Sequence, residues 1–383
     1  MNVFGRLFNV TIFGESHGPE IGVVIGGVEP GLPLSGEDFM ADIARRRSGA
    51  KGTTPRIEAD EPVILSGVYE GYTTGAPLTI VFRNTNTHSQ DYAAFRDVPR
   101  PGHADYTANL KYSGFQDPRG GGHFSGRLTL PVVAAGVVAK KQLSGILAAA
   151  TRGRLQFQCN ASLKEIGGIT DPSRWDEALD QARKEGDSLG GVVECVVNTV
   201  PAGLGEPFWD SAESCLAHAL FAIPGVRGVE FGDGFAAARM KGSEHNDCFA
   251  PQGSCCHGHG EGGCHGEGDH EGCGHGEQHE GCCHGEGHHE GGCCGRHGGH
   301  AVPATNHAGG VNGGITNGAP LVLRVAFKPT SSIAKAQQTY DFAKGAMTTL
   351  QVPGRHDTCF ALRTPVIVEA MVSIVLADLI RQA

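Results

Sequence analysis

Three short stretches far apart in this chain set ionisable side chains beside glycine: GESHG at 14–18, RPGHAD at 100–105 and GRHD at 354–357. Glycine lets backbone approach a ligand and frees N–H groups to bind it. Ser16, His17, Arg100, His103, Asp105, Arg355, His356 and Asp357 add proton donors, acceptors and fixed positive charge. A single histidine beside glycine is more often structural, but the three stretches together describe an enzyme that handles an anion. GESHG also satisfies the G-x-S-x-G pattern with Ser16 as a hydrolase nucleophile. That pattern needs a strand before and a helix after. Asn9 to Phe13 supplies the strand, but Ile21 to Ile25 is β-branched and reads as a second strand, which disfavours the hydrolase.

The elements that must position these groups alternate along the chain. Val23 to Val28, Val63 to Val68, Leu78 to Arg83, Val192 to Val200 and Leu321 to Lys328 read as strands. Ser35 and Asp38 form a capping box for a helix running to Arg47. Leu130 to Ala150, Arg174 to Lys184, Ala212 to Ala222 and Thr364 to Ile380 also read as helices. The mixture indicates an α+β fold.

Composition excludes several classes. The 383 residues, 39% apolar and 19% charged, suit a soluble globular protein. The longest apolar run, Leu130 to Ala139, is shorter than the roughly 18 residues of a membrane span, and no signal-peptide pattern opens the chain. A cytoplasmic enzyme without membrane or nucleic-acid partners is expected. The net charge of −10 comes mostly from residues 248–304, which hold eight acids and one arginine. There is no G-x-x-x-x-G-K-[ST] loop, and the one G-x-G-x-x-G, Gly258 to Gly263, falls in a repeat without a strand or helix pattern.

That repeat divides the chain. Residues 1–247 and 305–383 read as one catalytic domain, and 248–304 as a His/Cys/Gly-rich insertion. Four of the 13 cysteines, Cys159, Cys195, Cys215 and Cys359, lie outside it, at spacings of neither a disulfide framework nor a zinc ribbon. CHGEGDHEG, CGHGEQHEG and CCHGEGHHEG begin at 264, 273 and 282. Without branched apolar residues such a segment is expected to be disordered unless a metal organises it. Cys264, His265, Cys273, His275, Cys282, Cys283, His284, Cys293 and Cys294 are the candidate ligands, for Zn, Ni or Cu. A tolerated low-complexity loop is the competing reading.

The run Arg45-Arg46-Arg47 also has two readings. Cations in the last turn of a helix are stabilised by its dipole, which alone explains them. Taken with Lys51, Arg56, Arg100, Arg127 and Arg355, they also supply the paired donors a multiply anionic substrate needs.

GESHGP, RRRSGAKGTTPR at 45–56, LSGVYEGYTTGAPL at 65–78, RPGHADY, RGGGHFSGRLT at 119–129, KGSEHND at 241–247, FKPTSSIAK at 327–335 and GRHDTC at 354–359 together resemble the chorismate synthase family, in the same order. The resemblance spans everything except the insertion. It implies a β-α-β sandwich, with helices between two antiparallel sheets, and a homotetramer. It also implies a lyase that eliminates phosphate in a 1,4 sense from 5-enolpyruvylshikimate 3-phosphate to give chorismate, using reduced FMN that is not consumed. This is the last step of the shikimate pathway to aromatic amino acids. By the same resemblance His17 acts on the leaving phosphate, His103 sets the flavin's protonation state, Asp357 assists proton removal at the flavin N5, and Ser16 and Ser125 are relays. Arg45, Arg47, Lys51, Arg100, Arg127 and Arg355 would bind substrate. His123, Phe124, Ser125, Pro224, Gly225, Gly313, Lys328, Pro329, Thr330, Ser331, Ser332 and Arg355 would bind flavin. His123, Lys51, Pro224 and Thr358 depart from the residues common in the family. Without the insertion about 330 residues remain, an ordinary single catalytic unit. Reduced flavin is therefore expected from a separate reductase.

Overall fold

A computed structural model describes residues 2–54, 58–85, 89–249, 303–352 and 356–383. Contacts group Met1–Asp247 with Asn306–Ala383 as one unit and Cys248–Thr305 as another. In the latter, Phe249 bridges Pro303 and the Ala304 N–H donates to the Cys248 carbonyl at 2.6 Å. The candidate metal ligands between Cys264 and Cys294 lie outside the described residues.

In chain order the strands are β1 (Val3–Phe4), β2 (Asn9–Gly14), β3 (Glu20–Gly26), β4 (Val63–Ser66), β5 (Val68–Tyr69), β6 (Tyr72–Thr73), β7 (Leu78–Arg83), β8 (Cys159–Ile166), β9 (Gly191–Val197), β10 (Val226–Phe231), β11 (Val311–Asn312), β12 (Ile315–Thr316), β13 (Leu321–Phe327), β14 (Gln337–Asp341) and β15 (Ala346–Leu350). The helices are α1 (Met40–Arg46), α2 (Asp105–Tyr112), α3 (Thr129–Thr151), α4 (Trp175–Lys184), α5 (Ala212–Phe221), α6 (Gly242–His245) and α7 (Pro365–Gln382).

Period-two burial builds two antiparallel sheets. One has the order β1-β2-β3-β7-β4, the other β10-β13-β9-β8. In the first, Ile21, Val23 and Ile25 pair with Phe82, Ile80 and Leu78, and all six side chains are fully buried. In the second, Leu323 and Val325 of β13 pair with Cys195 and Val193 of β9, again fully buried. A one-residue slip would turn each set to the wrong face, so the core sets the register. Helices α3 and α7 pack on each other; α3 also covers β3 and β7, and α7 covers β8 and β9. This is an α+β sandwich with its helices between two antiparallel sheets, as the family resemblance implies.

The helix layer is tight. A Cβ on Gly136 of α3 would lie 2.3 Å from the Ala370 Cβ of α7, so the two backbones approach where glycine allows it. Pro365 opens α7 at the first turn, where its missing N–H costs nothing. The helical stretch Gly126–Thr151 is long and apolar enough by composition to cross a membrane, but its contacts with α7, β3 and β7 make it a core helix.

Element boundaries differ from the sequence reading where side-chain pattern is weak. The strand expected over Val63 to Val68 breaks at Gly67, which has φ +87° and stands against Leu78. The strand expected to reach Val200 ends at Val197. Strands β8 and β10, the β14–β15 hairpin and helix α2 were not expected. Their polar residues dilute the apolar pattern, and neighbouring elements supply the stabilisation instead.

Candidate active site

A cavity of about 860 Å³ is walled by the end of α1, the 100–104 loop, the 120–127 turn, the segment linking α5 to β10, the residues after β13 and the segment ahead of α7. His103, Ser125 and Asp357 lie in this wall, as do Arg47, Arg100 and Arg127. So do the residues expected at a flavin: His123, Phe124, Pro224, Gly225, Lys328, Pro329, Thr330, Ser331 and Ser332.

Ser16 and His17 sit one layer back, both buried. The His17 ring meets the Tyr92 ring edge-on at 5.2 Å, and Tyr92 lines the cavity. Between them and the cavity is Gly120, with φ +60°; a Cβ there would lie 2.5 Å from His17 Nε2 and 2.8 Å from Ser16 Oγ. The Ser16 N–H donates to the Gly122 carbonyl at 3.1 Å, which locks the 14–18 loop to this turn. Asn84 strengthens the lock: its Nδ2 donates to the Glu15 and Gly18 carbonyls at 3.1 and 2.9 Å, and its Oδ1 accepts from Arg127 Nε at 3.0 Å.

The cations are held in place by buried acids. Asp60 pairs with Arg127 Nη1 and lies 3.6 Å from Arg46 Nη1. Arg46 Nε also donates to Thr129 Oγ1 at 3.0 Å. Burial, and then the charges of Arg363 and Arg127, push the Arg46 guanidinium below its ordinary pKa against the pull of Asp60. Asp357 is gripped at both oxygens, by the Thr54 N–H at 2.9 Å and Arg363 Nη2 at 2.7 Å. Burial would raise the Asp105 carboxyl, but hydrogen bonds from Arg100 and His103 outweigh it and hold it well below the usual range. His103 is pushed down, first by burial and then by Arg100 and Lys328, with Asp105 opposing. Lys328 Nζ donates to the Gly102 carbonyl at 2.8 Å and also contacts Ser331 Oγ.

Three expected ligand residues are elsewhere. Arg45 is committed to Glu369, donating from both terminal nitrogens at 2.7 and 2.6 Å, and Arg46 takes the place in the wall. Lys51 Nζ pairs with Asp180 at 2.9 Å and Asp176 at 3.4 Å on α4. Gly313 occupies the β11–β12 turn rather than the cavity wall. Arg355 lies outside the described residues. Asp60, Arg46 and Arg363 were not singled out as ligands; only Arg46, by lying within the arginine run, carried any signal in the sequence.

The chorismate synthase family model matches residues 8–380. A chorismate synthase of Chitinophaga pinensis is 50% identical over 379 residues, covering 99% of this chain and 96% of its own. One from Thermococcus gammatolerans is 40% identical over 395 aligned positions, covering 98% of this chain and 96% of its own. A crystal structure of chorismate synthase superposes with a TM-score of 0.64 at 24% identity, covering 99% of this chain and 92% of that one. Matches over nearly the whole chain, to proteins that share one name, place it in the chorismate synthase family of lyases.

Proposed function

We propose that this cavity performs the 1,4-elimination of phosphate from 5-enolpyruvylshikimate 3-phosphate, giving chorismate, with reduced FMN as cofactor. The observation that carries the reading is the convergence of His103, Asp357 and Ser125 with Arg46, Arg47, Arg100 and Arg127 on one cavity, with His17 one glycine behind it. The volume falls within the ~300–1,000 Å³ of small-molecule sites. The leaving group is a dianion, so preset cations lower the barrier by opposing its developing charge. His17 donates a proton or hydrogen bond to the departing phosphate, and Asp357, a carboxylate already oriented by Arg363 and Thr54, assists proton removal on the flavin side of the cavity. Ser16 and Ser125 relay protons between these groups.

The wall also suits a flavin. Phe124 and Pro224 offer apolar surface; Lys328, Ser331 and Ser332 offer donors; and Thr330 Oγ1 is buried with no hydrogen-bond partner among the described residues. Bound there, reduced FMN would supply electron density during the elimination. His103 would then hold the proton that governs its ionisation.

We also read the protein as cytoplasmic and homotetrameric, supplied with reduced flavin by a separate reductase. The insertion is proposed to take Zn, Ni or Cu through its thiolates and imidazoles. The test of the main reading is chorismate formation under anaerobic conditions, with FMN reduced by dithionite, light or a partner enzyme. Many turnovers per flavin are expected. Full activity without any flavin would refute the reading, and activity with NADPH and FMN alone would refute the separate reductase.

A further inference from the structure

His103 ends the 100–103 loop and Asp105 is the first residue of α2. Asp105 Oδ1 stands 2.6 Å from His103 Nδ1. The same carboxylate accepts Arg100 Nη2 at 2.7 Å on Oδ1, and Arg100 Nε at 2.8 Å and the Arg100 N–H at 3.0 Å on Oδ2. Arg100 is itself pinned by Ser332 Oγ at 3.0 Å and stacked 4.5 Å over the Phe95 ring. A carboxylate with that many cationic donors is an anion. Two lone-pair atoms 2.6 Å apart repel unless a proton lies between them, so the imidazole proton belongs on Nδ1. The opposite tautomer would let Nδ1 accept from Arg100 Nη2 at 3.0 Å, but would turn its lone pair against Asp105. The Nε2 edge is the one near the glycine turn of the cavity: a Cβ on Gly121 would lie 3.6 Å from Nε2.

We propose that Asp105 is the positioning residue of His103, holding the ring proton on Nδ1 so that Nε2 is the atom that exchanges a proton with the cavity's ligand. The proposal rests on the proton role given to His103 above. Arg100 and Lys328, the cations acting on the ring, both disfavour the imidazolium, as does burial, whereas Asp105 favours it. Replacing Asp105 by asparagine removes that charge and offers an amide N–H to Nδ1, which moves the proton to Nε2.

The test reads the ring directly. Nitrogen NMR of His103, identified by its absence in His103→Ala, is followed against pH in the wild type and in Asp105→Asn and Asp105→Glu, beside kcat and KM with reduced FMN. The wild type should show the Nδ1–H tautomer. In Asp105→Asn the Nε2–H form should dominate, and the titration midpoint and the limb of the kcat profile that follows it should both move to lower pH, by about one pH unit or more. Its kcat should fall roughly 10- to 100-fold with KM little changed, and Asp105→Glu should recover part of the loss. An unchanged tautomer and midpoint in Asp105→Asn would overturn the proposal. If that variant does not fold, Arg100→Lys, which breaks the fork on Asp105, should loosen the tautomer preference, and no change there would equally overturn it. A His103→Ala enzyme with normal kcat would instead refute the proton role of His103, while the spectra still decide whether Asp105 sets the tautomer.

Discussion

Arg45 and Glu369 are 324 positions apart in the chain, yet they meet as a two-pronged ion pair where α1 reaches α7. Lys140 of α3 donates to the same carboxylate at 2.9 Å, and the Ala161 N–H of β8 at 2.9 Å. Glu369 thus ties four elements together, through Arg45, the residue just before the arginines that line the cavity.

Replacing Glu369 by alanine should therefore destabilise the fold by about 1–3 kcal/mol, the cost of leaving such groups unpaired, and should weaken substrate binding because α1 is released. Burial would raise the Glu369 carboxyl, but Arg45 and Lys140 outweigh it and hold it low. A depressed carboxylate contributes stability above its unfolded pKa, about 4.3, and loses it as pH falls through the folded value. The stability gap between wild type and Glu369→Gln, from urea melts at several pH values, should be full at neutral pH and shrink below about pH 4.

Gly120→Ala should nearly abolish activity. Its φ of +60° is left-handed, and the new methyl would strike His17 and Ser16. A loss of kcat by at least about 100-fold in a folded protein is expected, the scale of misplacing one catalytic group. Near-normal turnover would show that His17 does not work through this aperture.

His17→Ala and His103→Ala should each lower kcat by roughly 10- to 10⁴-fold, with smaller effects on KM, and Asp357→Asn should behave likewise. Arg127→Ala should instead raise KM steeply, and it should also destabilise the fold, because Asp60 is left buried with one cation fewer. Steady-state kinetics separate the two patterns. Normal kcat in both histidine variants would remove them from the chemistry.

The Asp247 carboxylate accepts the His307 and Ala308 N–H groups at 2.7 and 2.9 Å, so the chain on either side of the insertion is already held together. Joining Asp247 to Thr305 through a short Gly/Ser linker should give a folded, active enzyme, since closure entropy changes slowly with loop length. The intact protein should bind more Zn or Ni than this variant and release it as pH falls from about 7 towards 5, because its ligands must be deprotonated. Equal metal content in the two proteins would end the metal reading for those ions.

Sequence by itself determined the family and the reaction class, because motifs such as GESHG, RPGHAD and GRHD each keep their chemical groups within a few residues. It also determined the strongest elements, β3, β7, β9, β13, α3 and α7, whose apolar content is high and nearly continuous. Which arginine of the run faces the cavity was not legible there. Successive helical residues point about 100° apart, and the rotation of α1 is set by Glu369, which lies in the last helix. Likewise Lys51 could be matched to a motif but not to its partners on α4, and nothing local marked Asp60 as the acid between Arg46 and Arg127. Those choices belong to tertiary structure, because a buried charge is placed by partners that only folding brings within a few ångströms.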